Sequence, residues 1–159
     1  MRDILKKMDI TNRVFYNRFH NIDEVLDIIY AETVHRVRES LSIPWDEKSD
    51  FFGHIHEVAA RTLILTYETR GSISRLIFDM DFDSGENFTW WDKEIRALIR
   101  RGMETGNVRP DIDECALSYS IWCFIRGFNA DAVARSLPQE EALRRFHYGF
   151  GCLMSGIRA

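Results

Sequence analysis

The chain predicts an all-α helical bundle, and three observations carry that expectation. Apolar residues recur at three- and four-residue steps, as at Leu117, Ile121, Phe124, Ile125 and Phe128, and no stretch shows the alternation of a strand. Pro44, Pro110 and Pro138 fall between helical patterns or in a first turn, where a missing amide donor does least harm. At 159 residues and 45% hydrophobic content, the chain can bury one core and carry a small appendage.

Taken in order, helices are expected at 2–8, 12–19, 22–41, 48–70, 72–79, 87–105, 112–135 and 138–157. The stretch 4–26, ILKKMDITNRVFYNRFHNIDEVL, reads as a short helix, a tight turn, a second helix and a capped third. Thr11 can cap the second helix. Phe15 and Phe19 lie four residues apart on its inner face, which leaves Asn12, Arg13, Tyr16 and Asn17 toward solvent, an arrangement suited to reading DNA. Asn21 and Glu24 have the spacing of a capping box for the next helix. The last helix carries Glu140 and Glu141 in its first turn, with Arg144 and Arg145 four residues on, so ion pairing and the helix dipole act together. Its other side, Leu143, Phe146, Phe150, Leu153 and Met154, is apolar.

Net charge is −4, but it is unevenly spread. Residues 1–21 hold five Lys/Arg against two Asp, or +3, and the remainder holds 16 against 23, or −7. A basic tip on an acidic body suits phosphate contacts confined to one end. Cys115, Cys123 and Cys152 lack paired metal-type spacing, sit within helical patterns and read as buried thiols in a reducing compartment, with redox sensing as the alternative. Apolar runs fall far short of the ~20 residues that cross a bilayer and no leader pattern opens the chain, so a soluble, cytoplasmic protein without membrane attachment is expected. His54 and His56, with Asp50 and Glu57 nearby, are spaced by two and diverge on a helix; in the Asp79, Asp81, Asp83 run, glycine comes one position late and Trp90 stands where calcium needs a bidentate Glu. With no phosphate loop, nucleophile elbow or zinc quartet either, neither metal, cofactor nor catalysis is expected.

Residues 9–11 (DIT), 14–19 (VFYNRF) and 23–26 (DEVL) together resemble the end of the DNA-binding domain of TetR-family transcriptional repressors. Residues 99–111, IRRGMETGNVRPD, resemble that family's link into its dimerisation helices. The resemblance implies a TetR-like bundle with a partial N-terminal helix-turn-helix over 1–21, completed by the start of helix 22–41, and a ligand-binding and dimerisation domain over 22–159. It has two departures. Ile22 stands where relatives carry a Lys, removing a phosphate anchor, and Met1 falls inside the second helix of the family's domain. The expectation is therefore an N-terminally truncated member whose segment around Ile4, Leu5, Met8, Phe15 and Phe19 lacks its usual cover and binds operator DNA poorly.

The resemblance also implies roles. Asn12 and Arg13 are the candidate base readers, Thr11, Tyr16 and His20 the phosphate or thymine-methyl contacts, with Asn17 beside them and Lys6 and Lys7 assisting electrostatically. A small-molecule effector, hydrophobic or aromatic, is expected in a cavity at His56, Tyr67, Phe78, Trp91, Trp122 and Arg126, within an aromatic body that also includes Phe51, Phe52, Phe82, Phe88 and Trp90. A homodimer is expected through the last two helices at Leu117, Ile121, Phe124, Phe128, Leu143, Phe146, Phe150 and Met154, unless those stripes face the chain's own core. The rival to a repressor is a dimeric ligand-binding or scaffold protein without DNA activity.

Overall fold

The computed structural model describes residues 11–69 and 71–159; the helix expected at 2–8, with Lys6 and Lys7, lies outside them. Seven helices are present among the described residues: α1 Asn12–Tyr16, α2 Ile22–Leu41, α3 Phe51–Glu68, α4 Gly71–Ser84, α5 Glu86–Glu104, α6 Glu114–Ala134 and α7 Gln139–Ser155. The chain is all-α, with one isolated bridge between Val108 and Arg158 as its only extended pairing among those residues.

Helix starts follow side-chain chemistry. Thr11 Oγ1 accepts the Val14 amide at 3.3 Å, Asp50 accepts that of Phe52 at 3.1 Å, and Asp113 Oδ1 accepts those of Cys115 and Ala116 at 2.9 and 3.1 Å. The last two caps explain why α3 and α6 begin two or three residues later than the apolar pattern predicts. α4 runs five residues beyond its expected end, through the aspartate run, and stops before Gly85, which adopts a left-handed φ of 64°.

Two compact units divide between Glu39 and Ser40, near the end of α2; residue 21, the boundary expected from sequence, is where α2 is capped. The second unit is built around α6, which packs on α3, α4, α5 and α7. Its core takes Phe51, Phe52, Ile55, Ala59 and Leu63 from α3, Ile99 from α5, Leu117, Ile121 and Ala132 from α6, and Ala142, Phe146, Phe150 and Met154 from α7. Each fully buried Phe contributes about 1.5–3 kcal/mol by leaving water, and Phe146 and Phe150 stack at 5.5 Å between ring centroids.

That packing places much of the expected dimer surface against the chain's own core, the alternative that the apolar stripes left open. Leu117, Ile121, Phe146, Phe150 and Met154 are buried inside a single chain, and Phe124, Phe128 and Leu143 are half-buried against the same core. The apolar sides of α6 and α7 pack on each other and on α3, and the opposite, more polar sides of both helices face solvent.

The segment 99–111 has a structural role as well. Gly102 is buried where a Cβ would collide with the Phe51 ring and with Val108. Gly106, at φ 71°, lets the chain reverse so that the Asn107 and Val108 amides both donate to the Gly102 carbonyl, at 2.8 and 3.0 Å. The strand-like continuation then clasps the C-terminus: Arg109 N–H donates to Ile157 O at 3.0 Å, and Ala159 N–H to Asn107 O at 3.1 Å. Among the described residues, no helix is long and apolar enough to cross a membrane.

Candidate functional site

In the first unit, α1 is one and a half turns long and two-sided. Phe15 is buried, its ring 5.3 Å from Tyr16 and 5.4 Å from Phe19, while Thr11, Asn12, Arg13, Tyr16 and Asn17 are exposed. This is the division that the four-residue spacing of the phenylalanines predicts. The following cap is a variant of the expected box. Asn21 Oδ1 accepts the Glu24 amide at 2.8 Å, but Glu24 reaches one residue further back, taking the His20 amide at 2.6 Å and approaching His20 Nδ1 at 3.0 Å. The His20 backbone bond first, and its ring second, hold the Glu24 carboxyl below its ordinary value. His20 is exposed, but its ring is thereby engaged in the cap of α2.

In the second unit, a cleft of about 520 Å³ opens among α3, α5 and α6 and the 41–45 segment. Aliphatic side chains such as Val58, Ile95, Leu98, Ile121 and Ile125 make most of its wall, with indoles from Trp45, Trp90 and Trp91. Polar groups are few: His54 and Thr62 from α3, Ser42, and Glu94 and Arg101 from α5. Arg101 is paired with Glu47 and, at 3.6 Å, with Glu104. Behind the wall, Asn129 is buried and donates to Thr62 Oγ1 at 3.0 Å, while Thr62 donates to Ala59 O at 2.7 Å.

Of the six residues expected to line an effector cavity, Trp91 lines this one. Trp122 stands a layer behind it, ring centroids 6.4 Å apart, and stacks edgewise with Phe88 at 5.8 Å. Tyr67 donates its hydroxyl to Leu137 O at 2.9 Å, tying α3 to the α6–α7 turn. Arg126 donates to Phe78 O at 2.8 Å and to Asp81 Oδ2 at 3.3 Å, so it joins α6 to α4. His56 lies along α7, 6.2 Å from the His147 ring and 5.1 Å from Phe150; burial, then the charges of His147 and Arg158, lower its pKa from 6.5 against the opposing pull of Asp50. Sequence reasoning passed over Trp45, His54, Thr62 and Glu94. Glu94 was within reach, since it follows Trp90 by four residues and Trp91 by three and so shares their helix face; Trp45 was not, because only the tertiary fold brings a loop residue to this wall.

The exposed sides of α6 and α7 differ from the buried ones in kind. On α6, Ala116, Ser120, Cys123 and Gly127 recur at steps of four, three and four and all face solvent, beside Tyr119. On α7 the exposed residues include Tyr148, at 79% of its full accessibility, and Cys152. Cys115, Cys123 and Cys152 are all exposed free thiols, contrary to the burial expected from their helical patterns, because each falls on the solvent side of its helix. No group of three or more His, Cys, Asp or Glu gathers as a metal site among the described residues.

The fold is that of a TetR family transcriptional regulator from Chloroflexus aurantiacus J-10-fl, with a TM-score of 0.74 over 98% of this chain and 82% of that one, at 13% sequence identity. No family model and no curated protein matches the sequence.

Proposed function

We propose that the chain is a TetR-like transcriptional repressor, binding operator DNA as a homodimer and releasing it when a small hydrophobic or aromatic effector enters the cleft. The observation that carries this reading is the pair Asn12 and Arg13, exposed in the first turn of a capped helix whose opposite side, Phe15, is buried. Residues at that position of a recognition helix reach base edges, Asn pairing with adenine and Arg with guanine, while Tyr16, Asn17 and Thr11 suit phosphate or methyl contact. His20 is bound into the α2 cap through its amide and through ring Nδ1, which leaves ring Nε2 for phosphate.

Effector and DNA would communicate through α2, the covalent connection between the units, whose last residue, Leu41, is part of the cleft wall. The required coupling is modest, ~1–3 kcal/mol of preference for one spacing of the two reading heads over another. The dimer is assigned to the exposed strip of α6, from Ala116 to Gly127, with Tyr148 and Cys152 of α7. Small side chains there let two helices approach closely around a twofold axis, burying the exposed tyrosines. No reaction, metal or cofactor belongs to this reading.

Selection from randomised duplexes with the purified chain, followed by fluorescence anisotropy, tests it. Enrichment of inverted half-sites centred roughly 34 Å apart is expected, with affinity falling steeply as salt rises. A chain that sediments as a dimer and binds small ligands, yet enriches no sequence, would instead be a dimeric ligand-binding or scaffold protein without DNA activity.

A further inference from the structure

The chemistry of the effector follows from the charge on the cleft wall, and rests on the cleft being the effector site. Trp90, Trp91 and Glu94 share one face of α5 and all three line the cleft. The two indoles stand nearly perpendicular, at 85° with centroids 4.8 Å apart, so a flat guest lying on one ring meets the edge of the other. Trp45 adds a third indole.

Two ionic side chains reach this wall, and only one is compensated. The Arg101 guanidinium is met by Glu47 and Glu104, whereas the Glu94 carboxylate has no cationic partner among the described residues. Glu94 is exposed at the edge of the cleft, so a neutral guest gains nothing from its carboxylate and an anionic one is repelled by it. A cation pairs with that carboxylate directly and is attracted by the electron-rich indole faces as well, so both effects have the same sign.

We propose that the cleft takes a flat aromatic cation, its ring system against Trp90 and Trp91 and its positive charge beside the Glu94 carboxylate. The aliphatic remainder of the wall, from Val58 to Leu98, covers the ring's outer edge, and His54 and Thr62 face it from α3.

The test compares two probes with the same three-ring skeleton, N-methylacridinium, which carries a fixed positive charge, and acridine, which is neutral in mildly alkaline buffer. Both are titrated calorimetrically into the full chain. N-methylacridinium should bind at least about tenfold more tightly. Glu94→Gln, a surface change between residues of equal helix propensity, should remove that preference while leaving acridine affinity within about twofold. Glu94→Lys should make acridine the better ligand. Equal binding of the two probes to the parent chain, or equal weakening of both by Glu94→Gln, would overturn the assignment of charge and leave the effector site standing. Failure of both probes to bind at about 1 mM would overturn the assignment and also remove this cleft as the effector site.

Discussion

Gly102 of α5 lies against the ring of Phe51 on α3 with no room for a β-carbon between them. The ring and Val108 on the other side are 2% and 1% exposed, so neither can swing into solvent to make space. In a helix, Gly→Ala ordinarily gains roughly 0.5–1 kcal/mol, but forcing a methyl into a filled core costs about 1–3 kcal/mol. Overpacking wins here. Gly102→Ala is expected to destabilise the chain in chemical denaturation, and an unchanged or raised midpoint would show that the α3–α5 contact is looser than described.

Ser118 is fully buried on α6, and its hydroxyl donates to Asp92 Oδ1 of α5 at 2.8 Å, while Arg96 meets the same carboxylate at 2.9 Å. A hydrogen bond to a charged acceptor contributes about 1.5–3 kcal/mol. Ser118→Ala should cost an amount in that range, and a double-mutant cycle with Asp92→Ala should show coupling. Additive single losses would mean that the two groups do not interact.

The depressed pKa of His56 makes stability depend on pH in one direction. Its folded pKa lies below the ordinary 6.5, mainly through burial, so the unfolded chain binds the proton more readily. Stability should therefore be full above 6.5 and decline as pH falls from there to the folded pKa, levelling off below it. His56→Phe should flatten that part of the profile. A slope that persists unchanged in the variant would assign it to other groups.

If Asn12 and Arg13 read bases, each substitution by Ala should lower discrimination between the selected operator and a single-base mismatch by about 1–3 kcal/mol. Arg18→Ala, exposed on the same segment, should weaken all sequences alike and reduce the salt dependence. Identical behaviour of the three variants would remove base reading from α1.

Gly127 sits mid-helix with open space where a side chain would go, so Gly127→Arg disturbs nothing in its own chain. If the exposed α6 strip is the dimer contact, this substitution should convert a sedimenting dimer to monomer without unfolding it. A dimer that survives the change would move the interface elsewhere.

Among the described residues, helix order and most helix limits were legible in the sequence, because apolar periodicity, Asx and Thr caps and proline act within a few residues of where they stand. The same is true of α1, where Phe15 inward and Asn12 and Arg13 outward follow from spacing alone. Local rules could not say which partner an apolar face would meet. Phe146 and Phe150 carry the same pattern whether they contact a second copy or their own α6, and burial in the core decided for the latter. Nor could they separate a cleft wall from a strut: Arg126 and Tyr67 looked like ligand groups until their partners Phe78, Asp81 and Leu137, distant in sequence, arrived within hydrogen-bonding reach. The sequence by itself determined the elements and their two-sidedness, through forces that act along the chain. Only the tertiary structure decided which sides are consumed in folding and which remain to bind, since that depends on residues brought together across the fold.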